Sequence, residues 1–341
     1  MTKRVAIVIL NWNGRKLLEQ FLPSVCNYTP AELADILVAD NASDDDSLSF
    51  LKREYPSIGL ISLDKNYGFA GGYNRALTGL DYNYFVLLNS DVEVASNWLE
   101  PLVSYLDSHP EVAAAQPKIR SFRDKELFEY AGASGGFIDR FGYPFCRGRI
   151  QQHIETDLGQ YDEIRTVFWA SGACLFIRSK DFFALKGFDE NFFAHQEEID
   201  LCWRLASRQR KVVCVPSSTV YHLGAATLKV ESPRKTFLNF RNNRLMLYKN
   251  LPESDLKRVL LARFWLDILA AFVFLLKGQW ENFTAVFKAL MAFSKQKKEY
   301  KLSRQEEQEG SVAVDASVFY SKSMIADYFI RGKKKFSDLD Y

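Results

Sequence analysis

The stretch Val5-Ala-Ile-Val-Ile-Leu-Asn-Trp-Asn-Gly14 begins with six apolar residues, most of them β-branched, and then turns polar. Such a run predicts a buried β-strand, and it is too short for the apolar region of a signal peptide. The predicted strands are Val5–Leu10, Asp35–Asp40, Ile58–Leu63 and Tyr84–Leu88, and the predicted helices are Gly14–Tyr28, Ser47–Glu54 and Gly71–Leu80. This alternation predicts an α/β fold with a mostly parallel central sheet and flanking helices.

Polar residues follow each of the predicted strands. Because ligands of parallel sheets bind beyond the carboxyl ends of the strands, we expect these side chains to converge on one crevice. The candidate binding residues are Asn11, Asn13, Asp40, Asn41, Asn66, Gly71, Asn74, Asn89, Asp91 and Glu93.

Each of these groups also has a structural interpretation. Asp40 suits hydrogen bonding to a nucleotide base or ribose, but Asp is also a common helix N-cap. The Gly-rich turn Asn66–Asn74 presents amides that attract phosphate, or it packs a helix closely; it is neither a dinucleotide fingerprint nor a P-loop. Asp91 and Glu93 share one side of an extended strand and suit Mg²⁺ or Mn²⁺, or they belong to a turn that caps the next helix.

A second acidic cluster lies in the segment Phe192-Phe-Ala-His-Gln-Glu-Glu-Ile-Asp-Leu-Cys-Trp-Arg204. Glu197, Glu198 and Asp200 stand there among apolar and aromatic residues. Since desolvating a carboxylate is costly, such a cluster binds a metal, pairs with Arg or moves protons. Crowding raises the pKa of a carboxylate, which suits a general base. The alternative is a helix N-terminus, where the helix dipole favours acidic residues.

The segments around this cluster are less regular. Residues 120–165 are Gly-rich and predict loops with short strands, Val167–Arg178 predicts one central strand, and Val212–Val215 another. His222 follows a strand and is either a ligand or a hydrogen-bonded structural residue. A downstream basic group suits either a diphosphate or a solvated surface; its members are Lys229, Lys235, Arg241 and Arg244.

From about residue 235 the pattern becomes helical. The helix Leu256–Leu276 has its longest uncharged run at Ile268–Leu276, which falls short of the ~20 residues that span a bilayer. Arg263 and Asp267 are four residues apart and predict an ion pair on one helix face. A second apolar helix, Trp280–Phe293, follows, and Lys295–Glu309 predicts a solvated helix or linker.

Composition limits the functional classes. The 341 residues carry a net charge of +2 and show no basic stripe with interleaved aromatics, so nucleic acid is not expected as a partner. The five cysteines are scattered and show no CxxC spacing, which predicts reduced thiols in a cytoplasmic protein rather than a zinc site or a disulfide framework.

Taken in order, the motifs resemble those of the family 2 glycosyltransferases with the GT-A fold, in particular the rhamnosyltransferase-like branch of bacterial polysaccharide assembly. The motifs that carry the resemblance are Val5–Gly14, Val38–Ser43, Asn66–Asn74, Leu87–Val94, Ser171–Cys174, Gly187–Glu190 and Glu197–Arg204. The resemblance implies a Rossmann-like catalytic domain over residues 1–245, with a nucleotide-sugar half at about 1–115 and an acceptor half at about 116–245. Residues 246–341 would form a helical extension that contacts a membrane or a partner, or packs on the domain.

The resemblance also implies an inverting transferase that uses a nucleotide-diphosphate sugar and a divalent metal, Mg²⁺ or Mn²⁺. Asp40 would contact the nucleotide, and Asn89-Ser-Asp91 takes the place of the DXD element, so Asp91, with Glu93 and His222, would hold the metal. Glu198 would be the base, with Glu197 and Asp200 beside it. Arg241 and Asn242 would face the diphosphate or the acceptor. The chain departs from the family pattern by having Asn89 as the first residue of DXD and Glu at the base position.

The implied acceptor is a hydroxyl of a glycan or a lipid-linked sugar in cell-surface polysaccharide synthesis. Residues 256–293 would rest on the inner face of the cytoplasmic membrane, and a homo-oligomer is a further expectation. Two alternatives stay open at this point. A sugar nucleotidyltransferase would require an N-terminal Gly-rich loop with a basic residue, and a catalytically silent sugar-binding module would lack the acidic clusters.

Overall fold

The computed structural model describes residues 4–224 and 232–340. Its strands are β1 (Val5–Asn11), β2 (Ala34–Asp40), β3 (Gly59–Ser62), β4 (Tyr84–Asn89), β5 (Val92–Val94), β6 (Val112–Ser121), β7 (Gly136–Asp139), β8 (Pro144–Cys146), β9 (Arg149–Ile150), β10 (His153–Ile154), β11 (Arg165–Val167), β12 (Cys174–Arg178), β13 (Lys211–His222) and β14 (Phe319–Tyr320). Its α-helices are α1 (Arg15–Tyr28), α2 (Ser47–Glu54), α3 (Gly68–Leu77), α4 (Glu100–Ser108), α5 (Ser179–Ala184), α6 (Glu197–Ala206), α7 (Pro233–Asn250), α8 (Glu253–Leu276), α9 (Trp280–Gln296), α10 (Tyr300–Gln308) and α11 (Met324–Phe329).

The central sheet has nine strands in the order β11-β13-β6-β12-β4-β1-β2-β3, with β5 paired to β13. Strands β4, β1, β2 and β3 run parallel, as the alternation of strands and helices predicts. Strand β12 is inserted antiparallel between β4 and β6, which makes the sheet mixed. Residues Val5–Ile9 are at most 2% exposed, because helices cover both faces of β1.

A second sheet of five strands, in the order β10-β9-β8-β7-β14, lies in the second half of the chain. Its β7–β10 part is the Gly-rich region for which short strands are predicted. Strand β14 comes from the far end of the chain and pairs parallel with β7. The backbone amide of Met324 also donates to Asp139 Oδ2 at 2.9 Å, and Phe336 packs on Phe137. The end of the described chain is thereby part of the same packed body.

The predicted single strand Val167–Arg178 is wrong. The structure has two strands there, β11 and β12, which pair with different neighbours. The intervening loop turns inward because Ser171 donates its amide to Gln116 Oε1 at 2.9 Å and its hydroxyl to the Ala131 carbonyl. The sequence pattern also predicts neither α4 nor β6, since Gln116 and Pro117 interrupt the apolar run of β6.

Strand β13 is longer than the predicted Val212–Val215. It continues to His222, which is therefore the last residue of the strand instead of following it. Helix α7 runs through residue 245 to Asn250, so the chain continues without a break where the domain boundary is predicted. That boundary stays a prediction.

The expectation that the first apolar C-terminal helix is too short to span a bilayer is corrected. Helix α8 has 24 residues, a mean hydropathy of 2.3 over its best 18-residue window, and is long and apolar enough to cross a membrane by length and composition. Only 22% of that window is buried. The predicted Arg263–Asp267 pair is confirmed at 3.1 Å, and both side chains are buried, so the charges lie inside the molecule.

Candidate active site

The carboxyl ends of β1 and β2 are joined by a net of polar side chains. Asn11 Nδ2 donates to Asp40 Oδ1 at 2.9 Å, and the Ser43 hydroxyl donates to the same oxygen at 2.7 Å. The Ser43 amide donates to Asp40 Oδ2 at 2.9 Å, and the Asn13 amide donates to Ser43 Oγ at 2.9 Å. Asp40 and Asn11 are buried, and the hydrogen bond between them links the carboxyl ends of β1 and β2.

The next group links β2 to the start of α3. Buried Asn41 donates to Asn66 Oδ1 at 3.1 Å and to the Gly68 carbonyl at 3.0 Å, and it accepts from the Tyr67 amide at 3.0 Å. A methyl group on Gly72 would lie 2.9 Å from the Leu10 side chain, so glycine is required for α3 to approach β1 this closely. The Gly-rich turn therefore fulfils the packing interpretation.

Backbone amides in the first turn of α3 donate hydrogen bonds to a distant segment of the chain. Phe69 and Ala70 both donate to the backbone carbonyl of Phe193, at 2.7 and 3.2 Å. Further along α3, Asn74 donates to the Phe188 carbonyl and accepts from the Phe188 amide, each at 2.9 Å. Gly71 lies beside these contacts, and a methyl group added to it would touch the Arg75 side chain. Helix α3 is thus docked on residues 188–193.

A second set of predicted ligands meets where β4 and β5 face the end of β13. His222 Nε2 lies 3.1 Å from Asp91 Oδ1, and His222 Nδ1 lies 3.4 Å from Glu129 Oε1. The Asn89 amide nitrogen is 3.5 Å from His222 Nε2. Burial lowers the pKa of His222, but Glu129 and Asp91 outweigh it and raise the pKa to about 10. His222 is therefore a cation held between two carboxylates.

Glu93 lies apart from this set. Its carboxylate pairs with Lys125, whose ammonium is 4.3 Å from the centre of the Tyr221 ring. Glu129, by contrast, is a buried acid that the sequence patterns do not indicate, because nothing in the irregular region 120–165 distinguishes it from the other acidic residues there. The structure therefore gathers Asn89, Asp91 and His222, adds Glu129, and engages Glu93 elsewhere.

The donor set of Asp91 and His222 fits a divalent cation that is shared with phosphate oxygens. Mg²⁺ commonly takes one or two carboxylates from the protein and completes its shell with phosphates. Within the described ranges no three His, Cys, Asp or Glu side chains converge as a complete metal site. The protein alone would thus supply part of the shell, and coordination by His222 would require loss of its Nε2 proton.

The acidic cluster opens α6. Glu197 is buried, Glu198 is half-buried, and Oε2 of each is a buried atom without a hydrogen-bond partner in the described chain. Burial and the charge of Glu198 raise the pKa of Glu197 well above its ordinary value. Burial raises the pKa of Glu198 to about 7, against the lowering effect of backbone hydrogen bonds at the helix N-terminus.

Glu198 lies against the loop between β11 and β12. A methyl group on Gly172 would come within 4.0 Å of Glu198 Cβ and 3.1 Å of Phe69 Cζ. Phe69 belongs to the first turn of α3, and Gly172 lies just before β12, at the end where its neighbour β4 finishes. The Glu198 side chain therefore begins at the same edge of the sheet as the polar residues that follow β1, β2 and β4.

Asp200, on the same helix, has a different environment. It is fully buried and accepts hydrogen bonds from Arg204 Nε at 2.9 Å, Lys249 Nζ at 2.8 Å and Asn250 Nδ2 at 2.8 Å. Burial raises its pKa, but Lys249 and Arg204 outweigh that effect and hold the pKa below its ordinary value. These contacts fit a structural anchor between α6 and α7.

The predicted basic group separates into distinct environments. Arg241 and Asn242 bond to each other and to the backbone of residues 191–195. Arg244 Nε donates to buried Asp267 at 2.8 Å. Lys235 has no ion pair within residues 4–224 and 232–340, and its pKa is lowered by burial. Lys229 lies outside the described residues.

Known proteins resemble this chain in sequence and in fold. The sequence model of glycosyl transferase family 2 matches residues 6–180, which is slightly more than half of the chain. The N-acetylglucosaminyl-diphospho-decaprenol L-rhamnosyltransferase of Mycobacterium tuberculosis is 27% identical over 245 residues, which cover 65% of this chain and 76% of that protein. Rhamnosyltransferase WbbL of Escherichia coli K12 is 28% identical over 196 residues, which cover 55% of this chain and 72% of that protein.

A solved structure has the same fold at low sequence identity. The mannosyltransferase PcManGT from Pyrobaculum calidifontis, in complex with GDP-Man and Mn²⁺, superposes with a TM-score of 0.53 and is 15% identical. The match covers 91% of this chain and 84% of that chain. At this identity the likeness shows the fold, which is the predicted GT-A fold.

Proposed function

Because this chain belongs to glycosyl transferase family 2, we propose that it moves a sugar from a nucleotide-diphosphate sugar to an acceptor hydroxyl, with inversion at the anomeric carbon. The chain is a glycosyltransferase, and the fold and the family support that statement independently. The proposed setting is the assembly of a bacterial cell-surface polysaccharide, which the resemblance to the rhamnosyltransferase-like branch implies; both relatives are named as rhamnosyltransferases.

The observation that carries the proposal is the Glu198 carboxylate. It is half-buried beside Gly172 and Phe69, its Oε2 has no hydrogen-bond partner in the described chain, and its pKa is raised to about 7 by burial. A base with a pKa near the working pH combines a useful deprotonated fraction with strong proton affinity. Glu198 is therefore suited to remove the proton of an acceptor hydroxyl.

The other two acids of α6 fit that task less well. Glu197 is buried more completely than Glu198, and burial together with the charge of Glu198 raises its pKa well above the ordinary value. Asp200 is saturated by Arg204, Lys249 and Asn250. We assign Glu198 as the base, Glu197 as the neighbour that raises the cost of a second charge, and Asp200 as the anchor of the helix.

The donor would lie along the carboxyl edge of β1, β2 and β4, next to Asp40, Asn41 and Asn89. If a divalent cation is bound, Asp91 and His222 would hold it, and it would offset the charge that develops on the departing diphosphate. Lys235 is a further candidate cation for the same charge, because it is half-buried and makes no ion pair within the described residues. Glu129 keeps the His222 ring in place.

The displacement needs an acceptor oxygen on the face of the sugar opposite the leaving diphosphate. Glu198 takes the proton from that oxygen as the oxygen attacks the anomeric carbon. The carbon–oxygen bond to the diphosphate breaks, and the configuration at the carbon is inverted. The protein therefore places the base on the acceptor side of the anomeric carbon and positive charge on the side of the departing diphosphate.

The finer identity of the substrates follows the relatives. A rhamnosyl donor and a polyprenyl-diphosphate-linked acceptor are proposed because the Mycobacterium relative is named for both. Such an acceptor would bring the enzyme to the inner face of the cytoplasmic membrane. We therefore propose that the protein attaches peripherally to this membrane. The alternative is that the same surface of the protein forms the interface of a homo-oligomer.

Helices α8 and α9 carry the surface that supports attachment. The apolar side chains that are at least 39% exposed there are Leu261, Phe264, Trp265, Leu269, Phe272, Val273, Leu276, Trp280 and Met291. The opposite face of α8, with Arg263 and Asp267, is buried against the body. Residues 253–301 hold nine Lys and Arg against five Asp and Glu, a net charge of +4, whereas the whole chain carries +2. An apolar face with a basic surround fits an anionic lipid surface.

A donor screen tests the proposed function. The purified full chain, with Mg²⁺ or Mn²⁺, would be incubated with UDP-, dTDP- and GDP-sugars, with and without a polyprenyl-diphosphate-linked N-acetylglucosamine acceptor, and release of nucleoside diphosphate would be followed. We expect release with one donor that the acceptor stimulates. Failure of every donor both to react and to bind in calorimetry would contradict the proposal and leave the silent binding module.

Vesicle flotation tests the attachment. We expect the protein to float with vesicles of phosphatidylglycerol and phosphatidylcholine, and the double variant W265S/L269S to remain in the soluble fraction. The exposed Phe329, which is remote in sequence from α8, offers the control Phe329→Ser. Equal flotation of W265S/L269S and the wild type would contradict attachment through α8, and loss of a dimer in that variant would favour an oligomer interface.

A further inference from the structure

The segment that precedes the catalytic acids has an unusual backbone. Phe193, His195 and Gln196 all have positive φ, at 63°, 71° and 75°, although none of them is glycine. Each such residue is strained relative to a β or αR conformation and persists only where its surroundings enforce it. Gln196 directly precedes Glu197, so the strain lies at the base of the turn that presents Glu198.

The side chain of Asn242 encloses this segment from α7. Its two N–H groups are shared among the carbonyl oxygens of Phe192, Ala194 and His195, at 2.9, 2.9 and 2.8 Å. Its Oδ1 accepts from Arg241 Nε at 2.8 Å and from Nη2 at 2.7 Å. Asn242 is completely buried, and both its donors and its acceptor are in use.

Arg241 and Asn243 extend the same contacts along the segment. Arg241 Nη2 donates to the carbonyls of Asn191 and Phe192, at 2.9 and 3.2 Å. Asn243 Nδ2 donates to Gln196 Oε1 at 3.2 Å and to the Gly142 carbonyl at 2.8 Å. Three consecutive residues of α7 thus hold residues 191–196.

The same segment also reaches the donor half of the molecule. The Phe193 carbonyl, between the carbonyls that Asn242 holds, accepts from two amides in the first turn of α3, those of Phe69 and Ala70. The Phe69 ring lies beside Gly172 and hence beside Glu198. The strained turn is therefore fixed on one side by α7 and on the other by the helix that follows the donor edge.

We propose that Asn242 and Arg241 are positioning residues, which act on the base Glu198 through the backbone of residues 191–196, and that Asn242 does not bind the diphosphate. This inference rests on the proposed function and, for Asn242, departs from the expectation that this residue faces the diphosphate or the acceptor. Both the donors and the acceptor of Asn242 are engaged with the protein, so this side chain has none left for phosphate oxygens. Within the described residues, Lys235 is the member of the predicted basic group that makes no ion pair and no side-chain hydrogen bond, so we propose it for the diphosphate.

The proposal predicts a specific kinetic signature. Truncation of Asn242 removes the contacts that hold the turn, so Glu198 loses its place and gains access to water. The titratable neighbours of Glu198 are Glu197 and Cys202 of α6, and the charge of Glu198 raises the pKa of both, while the facing elements present the uncharged Gly172 and Phe69. With burial as the cause of the raised pKa, hydration moves the acidic limb of the kcat profile to lower pH.

The experiment compares Asn242→Ala and the milder Arg241→Gln with wild type, using the donor found in the screen of UDP-, dTDP- and GDP-sugars. We expect kcat to fall at least tenfold, the donor KM to change less than threefold, and the acidic limb to shift to lower pH. A residue that binds diphosphate would instead raise the donor KM. The matched control is Thr236→Val, since Thr236 is also buried on α7 but bonds to Asn282 at 2.9 Å.

Hydrogen exchange supplies a readout that needs no turnover. The amides of Phe69 and Ala70 are expected to exchange faster in Asn242→Ala and in Arg241→Gln, and at the wild-type rate in Thr236→Val. A raised donor KM with unchanged kcat, or unaltered exchange in both variants, would overturn the positioning role. If wild type turns over no donor, the proposed function fails separately and exchange alone decides this inference.

Discussion

One turn of helix α6 carries three carboxylates in two opposite environments. Glu197 and Glu198 face a region where each has a buried oxygen without a hydrogen-bond partner in the described chain, and burial raises the pKa of both. Asp200 points inward to Arg204, Lys249 and Asn250, and its pKa is lowered. These residues lie within four positions of one another. Glu198 can exchange a proton near neutral pH, whereas Asp200 is ionised there.

The difference shows how one helix both supplies a base and secures it. An ionised carboxylate in the interior requires cations and hydrogen bonds, which Asp200 has from α7. The base needs the reverse, a carboxylate that is short of partners, and such a group costs stability. Asp200 thus attaches the helix, whereas Glu197 and Glu198, which lack partners, reduce its stability.

The largest expected effect is on turnover. Glu198→Gln should reduce kcat by about 10²–10⁴-fold, because the amide cannot accept the acceptor proton, while donor binding is retained. Nucleotide release and donor calorimetry, with Glu197→Gln as the matched variant, measure this. Full activity in Glu198→Gln together with loss in Glu197→Gln would transfer the role of base to Glu197.

The next effect is on folding stability. Asp200→Asn should reduce the free energy of unfolding by about 3 kcal/mol, because it leaves Arg204 and Lys249 without their buried counter-charge. Urea unfolding measures the loss, and the exposed Asp81→Asn should stay within about 0.5 kcal/mol of wild type. A loss from Asp200→Asn no greater than that of the control would mean that α6 is not attached through this cluster.

The activity should also depend on pH in a way that separates the two environments. Glu198 acts as a base only when deprotonated, so kcat should rise with pH and reach half its maximum near the pKa of about 7. Asp200 stays ionised throughout this range and contributes nothing to the profile. A kcat that is flat between pH 5.5 and 8.5 would contradict a base with a raised pKa.

The smallest expected effect is a pH dependence of stability with the sign set by the same two groups. The folded chain binds protons at Glu197 and Glu198 more tightly than the unfolded chain, so these groups reduce stability as pH rises from about 4.5 through the folded pKa values. The contribution of Asp200, whose pKa is lowered, is present above its unfolded pKa and is lost only in stronger acid. Glu197→Gln should therefore raise the melting temperature over that of wild type at pH 8 and leave it unchanged at pH 4.5. The same difference in melting temperature at both pH values would contradict the raised pKa of Glu197.

Local sequence patterns were sufficient for much of the frame. The short apolar runs correctly predict β1, β2, β3 and β4; of these, β1 and β4 are buried on both faces, and such a strand reads as a continuous apolar run. The break at Ser171 was not predictable, since it depends on Gln116 and Ala131, which are distant in sequence. Glu129 was not predictable either, because no local pattern marks a single acid that reaches a histidine 93 positions later.

The sequence by itself determined the class of the fold, the edge of the sheet at which the polar residues gather, and the family whose motifs it carries. These depend on residue type and spacing, which act over a few neighbouring positions. Only the tertiary structure decided which acid of α6 is free and that Arg241 and Asn242 hold backbone. A pKa and a hydrogen-bond partner depend on what the rest of the fold brings within a few ångströms, and the partners here come from α3, α7 and the loop before β12.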